Sequence, residues 1–149
     1  MRPAAPVVGG GGVVVRDERV LLIRRGKPPL LDRWVIPGGT VELGETLQEA
    51  LVREMEEETS LRVEPLELLT VFDRVERDDE GVRYHFVIVD YLCRWLSGEA
   101  RAGSDAREIA WVAPAELASY DPPPKVREVV EAALRLSAAP EGPDTRLAG

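Results

Sequence analysis

The segment from Gly38 to Leu61, GGTVELGETLQEALVREMEEETSL, constrains the fold more than any other part of the chain. A Pro-Gly-Gly turn ending at Gly39 leads toward an amphipathic helix expected from about Thr46 to Glu58, after Gly44 breaks the preceding stretch. At about 100° per residue, Leu47, Ala50, Leu51 and Met55 gather on one face. Glu54 and Glu58 fall within that sector, Glu57 lies at its edge beside Ala50, and Glu49 and Glu56 point to water. One stripe thus begins apolar and ends as carboxylates, aimed where charge is expensive to bury. Negative charge near a helix C-terminus also opposes the macrodipole. A bound cation or a nearby arginine offsets both penalties, and an oxygen-only cluster suits Mg²⁺ or Mn²⁺.

The 149 residues are read as one domain over 1–149, with 1–8 and 137–149 as loose tails of small, polar, Pro- and Gly-containing sequence. No apolar run approaches the roughly 18 residues of a membrane span, and the Gly-interrupted N-terminus makes a poor signal peptide. Cys93 is the sole cysteine, which rules out an internal disulfide and fits a reducing cytoplasm, the expected location. A net charge of −8, from 27 acidic and 19 basic residues, argues against binding a nucleic-acid polymer. A small phosphate-bearing substrate that arrives with metal remains compatible with it.

Gly12–Arg16 and Arg19–Arg24 are expected to form a hairpin around Asp17-Glu18, followed by a loop from Arg25 to Arg33 and a short strand, Trp34–Ile36. Val63–Val75 and Val82–Trp95 should make a long hairpin, joined through an acidic turn ending at Gly81. Glu108–Val112 reads as a strand, Pro114 as the start of a short helix, and Val126–Leu136 as a final amphipathic helix. Interleaved strands and helices with hairpins predict an α/β (α+β) fold, a mixed β-sheet covered by helices.

The pattern Gly39, five residues, Glu45, seven residues, then Arg53-Glu54-Met55, Glu57-Glu58 and Leu61 resembles the Nudix box, with eight of its nine specified positions met. The upstream Trp34-Val-Ile-Pro-Gly-Gly fits the same family, most like its bacterial ADP-ribose pyrophosphatase-type members. The departure is Ser60, where the box has Gly and a left-handed backbone is expected. The resemblance implies a Nudix-type α/β/α sandwich and a metal-dependent hydrolase of nucleoside diphosphates linked to another moiety. It also implies a metal site of Glu54, Glu57, Glu58 and the Gly39 carbonyl, with Mg²⁺ or Mn²⁺ as cofactor. Arg53 and Glu45 would form a supporting ion pair. Arg24, Trp34 and Gly38 are the substrate contacts it suggests, although solvated charge for Arg24 and core packing for Trp34 are the plain alternatives. The acid that takes the proton from water is left open between Glu54, Glu57 and a late acid outside the box, for which Asp105 and Glu108 are the candidates. A homodimer is compatible with the family, and two rival readings stand beside the first. One is a sanitising nucleoside triphosphate pyrophosphatase, the other a nucleotide-sensing domain without turnover.

The glycines from Gly9 to Gly12 lack the following Lys-Ser/Thr of a phosphate loop and read as a strand-entry kink. His85, the single histidine, is expected to be a strand residue, and Cys93 a core one.

Overall fold

A computed structural model describes residues 2–138. Strand β1 (Val7–Arg16) turns through Asp17 and Glu18, both at positive φ, into β2 (Arg19–Arg25). That double left-handed turn matches the twist of the strands it joins. Two short strands follow, β3 (Trp34–Val35) and β4 (Gly38–Thr40), then helix α1 (Leu47–Thr59). The long hairpin is β5 (Arg62–Asp78) and β6 (Gly81–Ser97). Strand β7 (Ala106–Val112), a 3₁₀ helix over Pro114–Tyr120 and α2 (Pro124–Ala138) complete the described chain.

The sheet runs β3-β2-β1-β6-β5, with β4 pairing β1 and β7 pairing β2. It is mixed because β1 runs parallel to β6 while the other pairings are antiparallel. Strand alternation sends neighbouring residues to opposite faces. Val13 packs with Leu22, Leu92 and the α2 residues Val126, Val129 and Val130, whereas Val14 packs with Leu21, Tyr91, Cys93 and the α1 residues Leu51 and Met55. Two cores therefore sandwich the sheet between α1 and α2, as the sequence pattern predicts.

The boundaries differ in instructive places. Val7 and Val8 belong to β1, paired with Phe86 and Val87, so the sheet begins inside the stretch read as a tail. Ser137 and Ala138 are the last turn of α2, and the remainder of the expected tail lies outside the described residues. The glycine run is no kink: Gly9 to Gly11 pair with β4 on one side and β6 on the other. Gly38 and Gly39 do not merely stop β3 but form β4 themselves.

Helix α1 starts at a capping box that the TLQE sequence encodes. The Thr46 hydroxyl accepts from the Glu49 N–H at 3.1 Å, and the Thr46 N–H donates to the Glu49 carboxylate at 2.8 Å. It ends at Ser60, which is left-handed at φ 64° and donates its N–H to the Glu56 carbonyl at 2.9 Å. A Cβ in that conformation costs about 1 kcal/mol. Ser60→Gly should therefore raise the midpoint of urea unfolding slightly or leave it unchanged. A clear loss of stability would mean that the serine side chain contributes more than its backbone strain removes.

Candidate active site

A cleft of about 420 Å³ opens along the glycine-rich middle of the sheet, floored by Gly9 to Gly11 and bounded by Gly38 and Gly39. The absence of a side chain matters most at Gly11, Gly38 and Gly39, since a Cβ on Gly9 or Gly10 would come no nearer than 3.3 Å to its neighbours. A Cβ on Gly39 would lie 2.2 Å from the Glu54 carboxyl carbon, so the turn approaches the helix as closely as backbone permits. Helix α1 thus delivers Glu54 and Glu58 into one end of the cleft, where Arg25, Lys27 and Asp105 also line the wall.

Arg53 organises the near side. Its guanidinium holds Glu45 through two bonds of 2.7 and 2.9 Å, and it also donates to Glu54 at 2.9 Å and to the Thr40 carbonyl at 3.1 Å. That fork geometry suits a carboxylate. Bonding to Arg53 holds the Glu45 carboxyl far below the usual range, at about 2. The opposite holds for Glu58, which is 7% exposed and whose Oε1 has no hydrogen-bond partner. Burial pushes its pKa up, and the charges of Asp105 and Glu54 push the same way, against Lys27 and Arg25. Burial likewise lowers the pKa of Arg25, opposed by Glu58 and Asp105. Arg25 also donates to the Pro29 carbonyl at 2.6 Å.

A family model described as a NUDIX domain matches residues 8–134. The chain belongs to the Nudix hydrolase family. Among its Nudix relatives, an ADP-ribose pyrophosphatase of Methanocaldococcus jannaschii is 39% identical over 103 residues, 69% of this chain and 59% of that protein. The shared stretch is thus little more than half of the archaeal relative. A Mycobacterium tuberculosis relative with the provisional name of 8-oxo-dGTP diphosphatase is 42% identical over 111 residues, 74% of this chain and 75% of its own. The crystal structure of a MutT Nudix hydrolase from Burkholderia pseudomallei superposes with a TM-score of 0.71 at 32% identity, covering 86% of this chain and 98% of that one.

The Nudix box residues do not all converge. Glu54 and Glu58 face the cleft with Gly38 and Gly39, but Glu57 is 60% exposed and bonds Arg53 at 3.2 Å on the outer side. Among the described residues, no three acidic, histidine or cysteine side chains gather as a finished metal cage. Arg24 is not on the cleft wall, and it pairs with Glu108 at 3.3 Å and Asp32 at 3.7 Å. Glu108 is drawn away with it, whereas Asp105 lines the cleft and bonds Lys27 at 3.0 Å. Trp34 packs edge-on against Tyr120 at 4.9 Å rather than facing the cleft. His85 sits against Asp73 at 3.3 Å, and the buried Cys93 thiol is pushed up to about 12 by desolvation. Sequence reasoning missed Arg25, Arg74, Asp90 and Lys125, all of which line the cleft. Asp90 left one signal, a lone carboxylate within the apolar run Val87–Cys93.

Proposed function

We propose that this Nudix protein hydrolyses the diphosphate of a nucleoside diphosphate joined to a second group. ADP-ribose-type substrates are favoured, with AMP and ribose 5-phosphate as products. The observation that carries the reading is the pair of inward carboxylates, Glu54 packed on Gly39 and Glu58 with an unpartnered buried Oε1. These groups fit a hard divalent cation: the donors are all oxygen, and one is a buried atom without a partner. Glu54, Glu58 and the Gly39 carbonyl would hold Mg²⁺ or Mn²⁺. Mg²⁺ commonly takes one or two carboxylates together with substrate phosphates, so an incomplete protein cage suits it. Bound there, the cation supplies charge to offset that developing on the diphosphate and to acidify water.

The chain's own residues supply the rest. Arg53 fixes the Glu54 carboxylate and ties the loop through Thr40 and Glu45 to α1. Arg25 and Lys27 line the same cleft and would carry positive charge toward the phosphates. Of the two late acids, Asp105 is the one on the cleft, and we assign it the proton released by the attacking water. The 39% identity to an ADP-ribose pyrophosphatase supports the substrate class. Cleavage of a nucleoside triphosphate is the second reading, favoured by the M. tuberculosis relative. Both use the same acids, and other loops choose between them.

EDTA should abolish turnover on a panel of ADP-ribose, NADH, diadenosine polyphosphates, sugar nucleotides and oxidised triphosphates. Mg²⁺ or Mn²⁺ should restore it, and kcat/KM ranks the substrates. Silence of the whole panel with both metals would overturn the enzymatic reading. Rescue by Zn²⁺ alone would contradict the oxygen-donor site.

A further inference from the structure

We propose that Asp90 is a specificity-determining residue whose carboxylate accepts a hydrogen bond from an exocyclic amino group of the substrate's base. Amino-bearing bases are then preferred over their oxo counterparts. The inference rests on the nucleotide-hydrolase reading above and adds a residue of β6 that lines the same cleft.

Asp90 is 3% exposed on β6, and its Oδ1 is buried without any hydrogen-bond partner. It nevertheless lines the same cleft as Glu54 and Glu58. A Cβ on Gly11 would lie 2.5 Å from that oxygen, so the bare strand is what leaves the carboxylate room. Gly11 pairs with Asp90 on one side and with Gly38 on the other. The Asp90 backbone therefore stands two strand spacings, about 10 Å, from that of Gly38, with its carboxylate reaching back over Gly11. A ligand anchored by its diphosphate at the turn and by its base at β6 spans such a distance.

The surroundings suit a planar ring. Phe72, Phe86 and Ile88 supply apolar walls beside the acceptor. The cations nearest in charge, Arg74 and Lys125, lie over the Phe72 ring at 5.8 and 4.9 Å and leave Oδ1 unbonded. A buried acceptor is rarely left without a donor in a native site. One amino N–H supplies what this oxygen lacks, whereas an oxo group would set two acceptors against each other.

The test compares ATP with ITP, and ADP-ribose with its hypoxanthine analogue, on the wild-type protein and on Asp90→Asn. Wild type should favour the amino member of each pair by roughly tenfold or more in kcat/KM, as expected for a site built around a donor. Asp90→Asn, whose amide donates to an oxo group, should shrink that ratio about tenfold. An equal ratio in wild type, or one unchanged in the variant, overturns the proposal. If neither pair is turned over, the hydrolase reading is left to the wider substrate panel, and calorimetry of AMP against IMP decides the role of Asp90. Tighter AMP binding that Asp90→Asn abolishes supports it, and equal binding overturns it. Should the variant not fold, wild-type binding of AMP is compared with that of purine riboside 5′-monophosphate, which lacks only the amino group. Equal affinity overturns the assignment, and weaker binding of the analogue supports it.

Discussion

Replacing Glu58 with Gln should lower kcat/KM by roughly a hundredfold or more and leave the fold intact. The amide keeps the size of the side chain, so the packing of its neighbours Met55 and Thr59, both fully buried, is preserved. What disappears is a charge. Burial, then Asp105 and Glu54, disfavour that charge in the cation-free protein. Its removal should leave the melting temperature in EDTA unchanged or raise it. With Mn²⁺, calorimetry should find weaker binding than in wild type, because an amide oxygen is a poorer ligand for a hard cation than a carboxylate. Glu57→Gln makes the informative contrast, since its carboxylate sits outside the cleft on Arg53 and its loss should cost less. Near-wild-type activity of Glu58→Gln with Mg²⁺ would remove Glu58 from the site.

Helix α1 was legible because its information is local. The apolar stripe, the acids that continue it and the left-handed Ser60 all follow from spacing within one element. The opposite wall depends on pairings between residues far apart in sequence. Arg24 and Arg25 are neighbours in a strand, and only register decides which of them faces the cleft. The pairing of β2 with β7 shifts between those two residues, Arg24 meets Glu108, and Arg25 is the one that turns to the cleft. Trp34 was ambiguous for the same reason, since its partner Tyr120 lies in the distant 3₁₀ helix. The glycines of β1 are the plainest case. By composition they mark a break, yet here they form a continuous strand whose missing side chains make the floor of the cleft. Only the parallel register of β1 with β6 sets Gly11 beside Asp90.

Gly38→Ala should destabilise the protein by about 2 kcal/mol or more, at the upper part of the range for overpacking a tight site. The added Cβ would lie 2.0 Å from the Gly10 carbonyl oxygen and 2.7 Å from the Gly11 Cα. Those atoms belong to the backbone of β1, which is held between β4 and β6 and has no rotamer into which to escape. In a domain of this size each kcal/mol lowers the melting temperature by roughly 2–4 °C, so the effect is readable in a thermal scan. Gly39→Ala separates stability from chemistry. Its Cβ would meet the Glu54 carboxyl carbon at 2.2 Å, the far end of a flexible side chain that swings aside at less cost. The expected pattern is therefore a strongly destabilised Gly38→Ala, and a Gly39→Ala that melts closer to wild type but has lost most of its turnover. A Gly38→Ala protein with the wild-type melting temperature would mean that β4 does not dock on β1, and the cleft built on that contact would fall with it.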